Sequence, residues 1–192
     1  MAAVREPAPP DVFRRAVTLL RDTEVRPDVR IADMPAPQRL APYSFALSGE
    51  VLRGDEELAS GRLILLYDPD GHEAWNGKFR FVTLVRAIVD AEMAVDPLLG
   101  EVGWAWLYDA LAAQGAEHRA AAGTVTRTNS ESFGEIAATA NLCEVELRAS
   151  WTAADEAFDA HLRAWAEVMC SFAGLPPVPP GVATIARRRS RR

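Results

Sequence analysis

The sequence predicts an α+β fold: an antiparallel five-stranded sheet with helices packed on one face, in the order α-βββ-α-ββ-α. Three observations predict it. Five short stretches read as strands, most with apolar residues at every second position and one with an unbroken apolar run, and in three others apolar residues recur at every third or fourth position, as on one face of a helix. The breaks between the strand-like stretches are short, polar and rich in Gly, Asp or Asn, which suits hairpins and hence antiparallel pairing. Finally, 49% of the 192 residues are apolar and 25% charged, the balance of an ordinary packed globule. A chain of this length can hide roughly 70% of the surface it exposes when unfolded.

The elements follow in order. Asp11 stands after two prolines as the N-cap of a first helix over about 11–22, with Phe13, Val17 and Leu20 on its apolar face. Pro27, Pro35, Pro37 and Pro42 then keep the chain extended, and the only stretch there that suits a short edge strand is "VRI". From Tyr43 the period becomes two, with Phe45, Leu47 and Val51 inward. "RGDEELAS" is a polar turn, "GRLILLYD" a strand buried on both faces, "DPDGHEAWNG" a reversal and "KFRFVTLVRAIV" a third long strand. Asp96 and Pro97 open a helix over about 97–114 that carries Leu99, Val102, Trp106, Ala110 and Ala113, and Gly115 stops it. Strands at about 117–128 and 142–152 follow, the second with Cys143, Val145, Leu147, Ala149 and Trp151 inward and Glu144, Glu146, Arg148 and Ser150 outward. The last helix, 155–173, opens on "TAAD", which resembles a capping box. Residues 11–175 thus form one domain, with residues 1–10 and 176–192 read as disordered flanks, the second Pro-rich and then Arg-rich.

The charge bounds the partners. The net charge is −6, yet five of the 21 basic residues lie in the final "ARRRSRR", so residues 1–186 carry 16 basic against 27 acidic groups, a formal −11. Such a body repels polyphosphates and anionic lipids, and nucleic-acid contact is expected only through the tail. No apolar window approaches the ~18 residues of a spanning helix and no signal-peptide core is present. A cytoplasmic protein without a membrane partner is the expectation. Two cysteines, Cys143 and Cys170, make neither a disulfide framework nor a zinc site. Asp68, Asp70, His72 and Glu73 lack calcium-loop spacing, and Pro-Asp-Gly is turn chemistry, so neither metal nor cofactor is expected. His161, four residues before Trp165, is expected to stack on it, and Cys143 to be a small buried apolar group.

Two features exceed what folding requires. A hairpin of the last two strands could gather Arg127, Glu131, Glu146 and Arg148 into a polar surface for a ligand or peptide; as exposed ion pairs they would contribute only about 0.2–1 kcal/mol each to stability. On the middle helix, Trp104 and Tyr108 stand opposite Trp106, so that if Trp106 faces the sheet they face outward, as a partner or dimer contact or beneath flanking loops.

The stretches "DPDGHEAWNGKFRFVTLVRA", "EMAVDPLLGEVGWAWL", "GTVTRTNSESFG" and "EVELRASWT" together resemble an actinobacterial family known as domain of unknown function 3000, over about residues 11–175. The resemblance implies no activity and no catalytic residues. The element order is also analogous to that of type III secretion chaperones and YbjN-like proteins, an analogy of topology that does not fix function. The expected function is a non-catalytic, chaperone-like module that binds a protein partner or a second copy. The alternative is an enzyme or small-anion binder using Arg127, Glu131 and Arg148.

Overall fold

A computed structural model describes residues 8–134 and 142–177 of the chain. Helix α1 (Asp11–Asp22) leads into strands β1 (Val29–Met34), β2 (Tyr43–Arg53), β3 (Glu56–His72) and β4 (Gly77–Val89). Helices α2 (Ala91–Val95) and α3 (Leu99–Ala113), strands β5 (His118–Ser130) and β6 (Leu142–Ala153), and helix α4 (Phe158–Phe172) complete the order. The fold is α+β with an antiparallel sheet, as expected, but the described sheet has six strands in the spatial order β1-β2-β3-β4-β6-β5. The sixth is β1: the "VRI" stretch extends to Met34 and pairs along β2 from Val29↔Val51 to Met34↔Ala46. The extra helix is α2, capped where the Asp90 carboxylate accepts the Met93 N–H at 2.8 Å.

The helices lie on one face. Phe13, Ala16 and Leu20 of α1 are buried, and the Phe13 ring meets Tyr43 and Tyr67 of the sheet. Across the centre runs α4, which buries Phe158, Leu162, Trp165, Met169 and Phe172 as one stripe. Burying each such side chain contributes roughly 1.5–3 kcal/mol. The close approach of α4 depends on two glycines paired across β2 and β3, Gly49 and Gly61. A Cβ on Gly49 would stand 2.7 Å from both Met169 and Trp165.

Local expectations are corrected at four points. Asp11 lies inside the first turn of α1 and pairs with Arg14, while Pro10 occupies the cap position. In α3 the buried positions are Leu99, Gly103, Leu107, Ala110 and Leu111, whereas Val102 is 38% exposed; the helix meets both β5 and α4, which rotates its buried stripe. Trp106 faces α4, with its ring 5.1 Å from Phe172. Thr152 caps no helix, because β6 continues to Ala153 and α4 begins only at Phe158. The expected N-terminal flank through residue 7 and the Arg-rich tail from residue 178 lie outside the described residues.

Candidate site on the open face of the sheet

Antiparallel pairing stacks side chains in rows across the strands, and the register sets which residues share the face that no described α-helix covers. One row there reads Ala32, Ser48, Arg62, Leu84, Arg148, Thr124. Its neighbour reads Met34, Ala46, Ile64, Val82, Ser150, Ala122. The third reads Ser44, Leu66, Arg80, Thr152, Arg119. Between β3 and β5 the first two rows form an open groove of about 670 Å³ whose floor is Ile64, Val82 and Leu84 and whose polar lining includes Arg62, Arg148 and Ser150. At the β2 side the Ser44 hydroxyl donates to the Pro37 carbonyl at 3.0 Å, tying the proline-rich segment to the end of the face where Ala46 and Leu66 are buried.

Behind Ser150 lies Arg80, only 8% exposed. Its Nη1 donates to the Ala120 carbonyl at 2.8 Å and to the Thr152 hydroxyl at 3.0 Å, and its Nη2 donates to Ser150 Oγ at 2.7 Å. Every one of these acceptors is neutral. Among the described residues no carboxylate pairs with this guanidinium, and burial pulls its pKa below the ordinary value. Removing an ion from water without a counter-ion is costly, by several kcal/mol even after relaxation. The site carries a second cost: Ala120 adopts φ 50°, left-handed backbone without the freedom of glycine, where β5 slips register between Arg119 and Ala122. Thr152 closes the arrangement from above, donating to the Trp75 carbonyl at 2.5 Å.

One row further along, Glu146 accepts from Arg86 Nε and from Arg148 Nε, both at 2.6 Å. Burial raises its carboxyl pKa, but the two arginine hydrogen bonds outweigh this and the net shift is downward. Arg86 reaches Glu146 because β6, not β5, is the neighbour of β4.

The profile of a single family spans residues 9–183 of the sequence. The chain belongs to that family, protein of unknown function DUF3000. No curated protein and no solved structure matches it.

In this DUF3000 chain the four residues expected to meet on one hairpin surface divide between two faces. Glu146 and Arg148 share the open face, whereas Arg127 pairs with the buried Val145 and so lies on the helix side, where it donates to the Asp96 carbonyl at 2.6 Å. Glu131 is exposed just past the end of β5. Trp104 is half-buried against β5: a Cβ on Gly123 would lie 2.7 Å from its ring and 2.3 Å from the Arg148 carbonyl, so the glycine is what admits the indole. Tyr108 is 41% exposed and sets its edge against Trp104 and His118.

Arg62, Arg80 and Arg86 were not singled out by sequence. Alternation alone places all three on the polar side of their strands, but only the register reveals what each faces. His161 turns away from its expected stack on Trp165: its ring lies 4.9 Å from Phe81, and its Nδ1 accepts the Trp151 indole N–H at 3.1 Å. Both cysteines are buried and free, and burial pushes the Cys170 thiol up to about 12, which makes it inert as a nucleophile. His72 stacks on Trp75 at the β3–β4 reversal, and among the described residues no group of three His, Cys, Asp or Glu could hold a metal ion. No described helix is long and apolar enough to cross a membrane.

Proposed function

We propose that this chain is a non-catalytic binding module that holds a segment of a partner protein on the open face of its sheet. The observation that carries this reading is the groove itself. Ile64, Val82 and Leu84 are left half-buried at the centre of a six-stranded sheet whose described α-helices pack on the other side. Apolar side chains flanked by arginines on a rigid, twisted surface suit an extended segment that alternates aliphatic and acidic residues. A second copy of the chain suits it poorly, because face-to-face pairing would set Arg62 and Arg148 against their own counterparts.

A random linear-peptide display library panned on the full-length protein tests the reading. Aliphatic–acidic sequences should be enriched on the wild type and lost on Ile64→Asn and Leu84→Asn. Enrichment that ignores both substitutions would remove the groove as the docking surface. A second reading, a small anionic ligand, is favoured by the buried Arg80 and requires no partner protein; under it the library would yield nothing while small anions would still bind.

A further inference from the structure

We infer that the arginine end of the groove is an oxyanion receptor, in which Arg62, Arg148 and the Ser150 hydroxyl, backed by Arg80, hold one carboxylate or phosphoryl group of the bound segment. The inference rests on the docking reading above and names what the groove recognises.

Four observations converge on it. First, the three open-face rows through Arg62, Ile64 and Arg80 contain four arginines, Arg62, Arg80, Arg119 and Arg148, and no acid, in a chain whose net charge is −6. Two of these arginines, Arg62 and Arg148, line the groove itself. Second, Arg80 makes three hydrogen bonds, all to neutral acceptors, which leaves its Nε–H and one Nη2–H without a protein acceptor among the described residues. A guanidinium buried to this degree normally finds a carboxylate; among the described residues none pairs with it, and the ligand supplies the negative partner. Third, Ser150 Oγ uses a lone pair to accept from Arg80, so its own proton is free to be donated into the groove it lines. The arginine behind it polarises that hydroxyl and carries positive charge to the groove surface. Fourth, Arg62 and Arg148 flank Leu84 in one row. Two strand spacings set their Cα atoms about 10 Å apart, so their long side chains can converge on one group from both sides. Arg148 spends its Nε on Glu146 and keeps its Nη groups for a ligand.

Glu146 therefore competes with the ligand for Arg148, and this yields a readout that a merely structural role would not give. The full-length, nitrogen-15-labelled protein would be titrated with inorganic phosphate and, separately, with acetate at constant ionic strength. The amides of Ser150 and Ala122 and the arginine Nε–H signals would be followed. Saturable shifts confined to the groove are expected. Tighter binding of phosphate would point to a phosphoryl group and tighter binding of acetate to a carboxylate. Arg62→Gln with Arg148→Gln should weaken binding about tenfold or more, the loss of charge-assisted hydrogen bonds, and Ser150→Ala several-fold. Glu146→Gln should tighten it several-fold by releasing Arg148. These substitutions lie at the surface or shorten a side chain, and an unchanged amide spectrum elsewhere would show each variant folded. Shifts that stay linear and scatter over the molecule, or that ignore both the double variant and Glu146→Gln, would overturn the inference. If peptides bind through Ile64 while phosphate and acetate do not bind, docking stands and the receptor falls. If either anion binds as described while Ile64→Asn leaves peptide selection unchanged, the receptor stands and the docking reading falls.

Discussion

His161 makes a quantitative prediction about how the protein responds to acid. The side chain is fully buried in α4, and its Nδ1 is occupied by the Trp151 indole N–H, which requires the neutral ring. Burial is the largest cause that lowers its pKa, with a smaller lowering from His118 and partial opposition from Asp155 and Asp159; the result falls from 6.5 to about 4. In the unfolded chain the imidazole regains its ordinary value. Above pH 6.5 both states are neutral and the group contributes nothing to pH dependence. As pH falls below that value only the unfolded state takes up the proton, so stability declines until the folded pKa is reached. A shift of about 2.5 units at 1.36 kcal/mol per unit amounts to about 3 kcal/mol, of which about 2 kcal/mol is lost by about pH 5. Denaturant unfolding of the wild type and His161→Gln between about pH 8 and pH 4 provides the assay, since glutamine can still accept the Trp151 N–H but does not titrate. The difference between the two proteins isolates His161 from the carboxylates. Glu146, with its depressed pKa, also loses stabilisation as pH falls, but equally in both. A difference that stays constant within about 0.5 kcal/mol from pH 7 to pH 4.5, well below the 2–3 kcal/mol that linkage requires, would refute the reasoning. So would direct titration of the His161 ring near its unperturbed value.

Two paired substitutions test the packing. Trp151→Phe strands the His161 acceptor in the core, whereas Trp165→Phe deletes an indole N–H that has no partner among the described residues; the first should cost more, by about 1–2 kcal/mol, in equilibrium unfolding. Gly123→Ala should destabilise by about 1–3 kcal/mol, because its Cβ would meet the Arg148 carbonyl and the Trp104 ring, and should shift the Trp104 emission. Gly100→Ala in α3 meets nothing within 4 Å and should stabilise by about 0.5–1 kcal/mol, read as a rise in Tm.

Alternation made the strands legible because the sheet is helix-covered on one side only. The inward run Cys143, Val145, Leu147, Ala149, Trp151 and its outward complement can be read from residue type alone, and the structure keeps both assignments. The α3 stripe could not be read in the same way. That helix touches both β5 and α4, and its apolar residues are spread so evenly that no single face stands out. Arg127 illustrates the limit of local pattern. Strand parity already separates it from Thr126, the residue facing Glu146, but the idea of a shared hairpin surface treated nearness in sequence as nearness in space. Arg80 was hidden for a different reason. Its position among Phe79, Phe81 and Val82 marks it only as outward. Its burial depends on the Trp75 turn and on the β5 irregularity at Ala120, features produced by tertiary contacts that no spacing rule records.

The two unusual polar arrangements of this fold meet on three consecutive residues. Ser150 and Thr152 point to the open face and grip Arg80, while Trp151 between them points inward and donates to His161. Because successive strand residues alternate in direction, this short length of β6 is anchored in the groove and in the helical layer at once. It also lies in an interior strand, paired with β4 on one side and β5 on the other. A receptor for a small charged group benefits from this arrangement, since donors held in place before the ligand arrives lose little entropy on binding. Native-state hydrogen exchange would reveal the consequence. The amides of residues 150–152 should open only with global unfolding, while those of the six-residue edge strand β1 should exchange through local opening at much lower free energy. If residues 150–152 instead exchange as readily as β1, the groove end is a loose surface, and Arg80 stays buried there for some reason other than holding a ligand's charge.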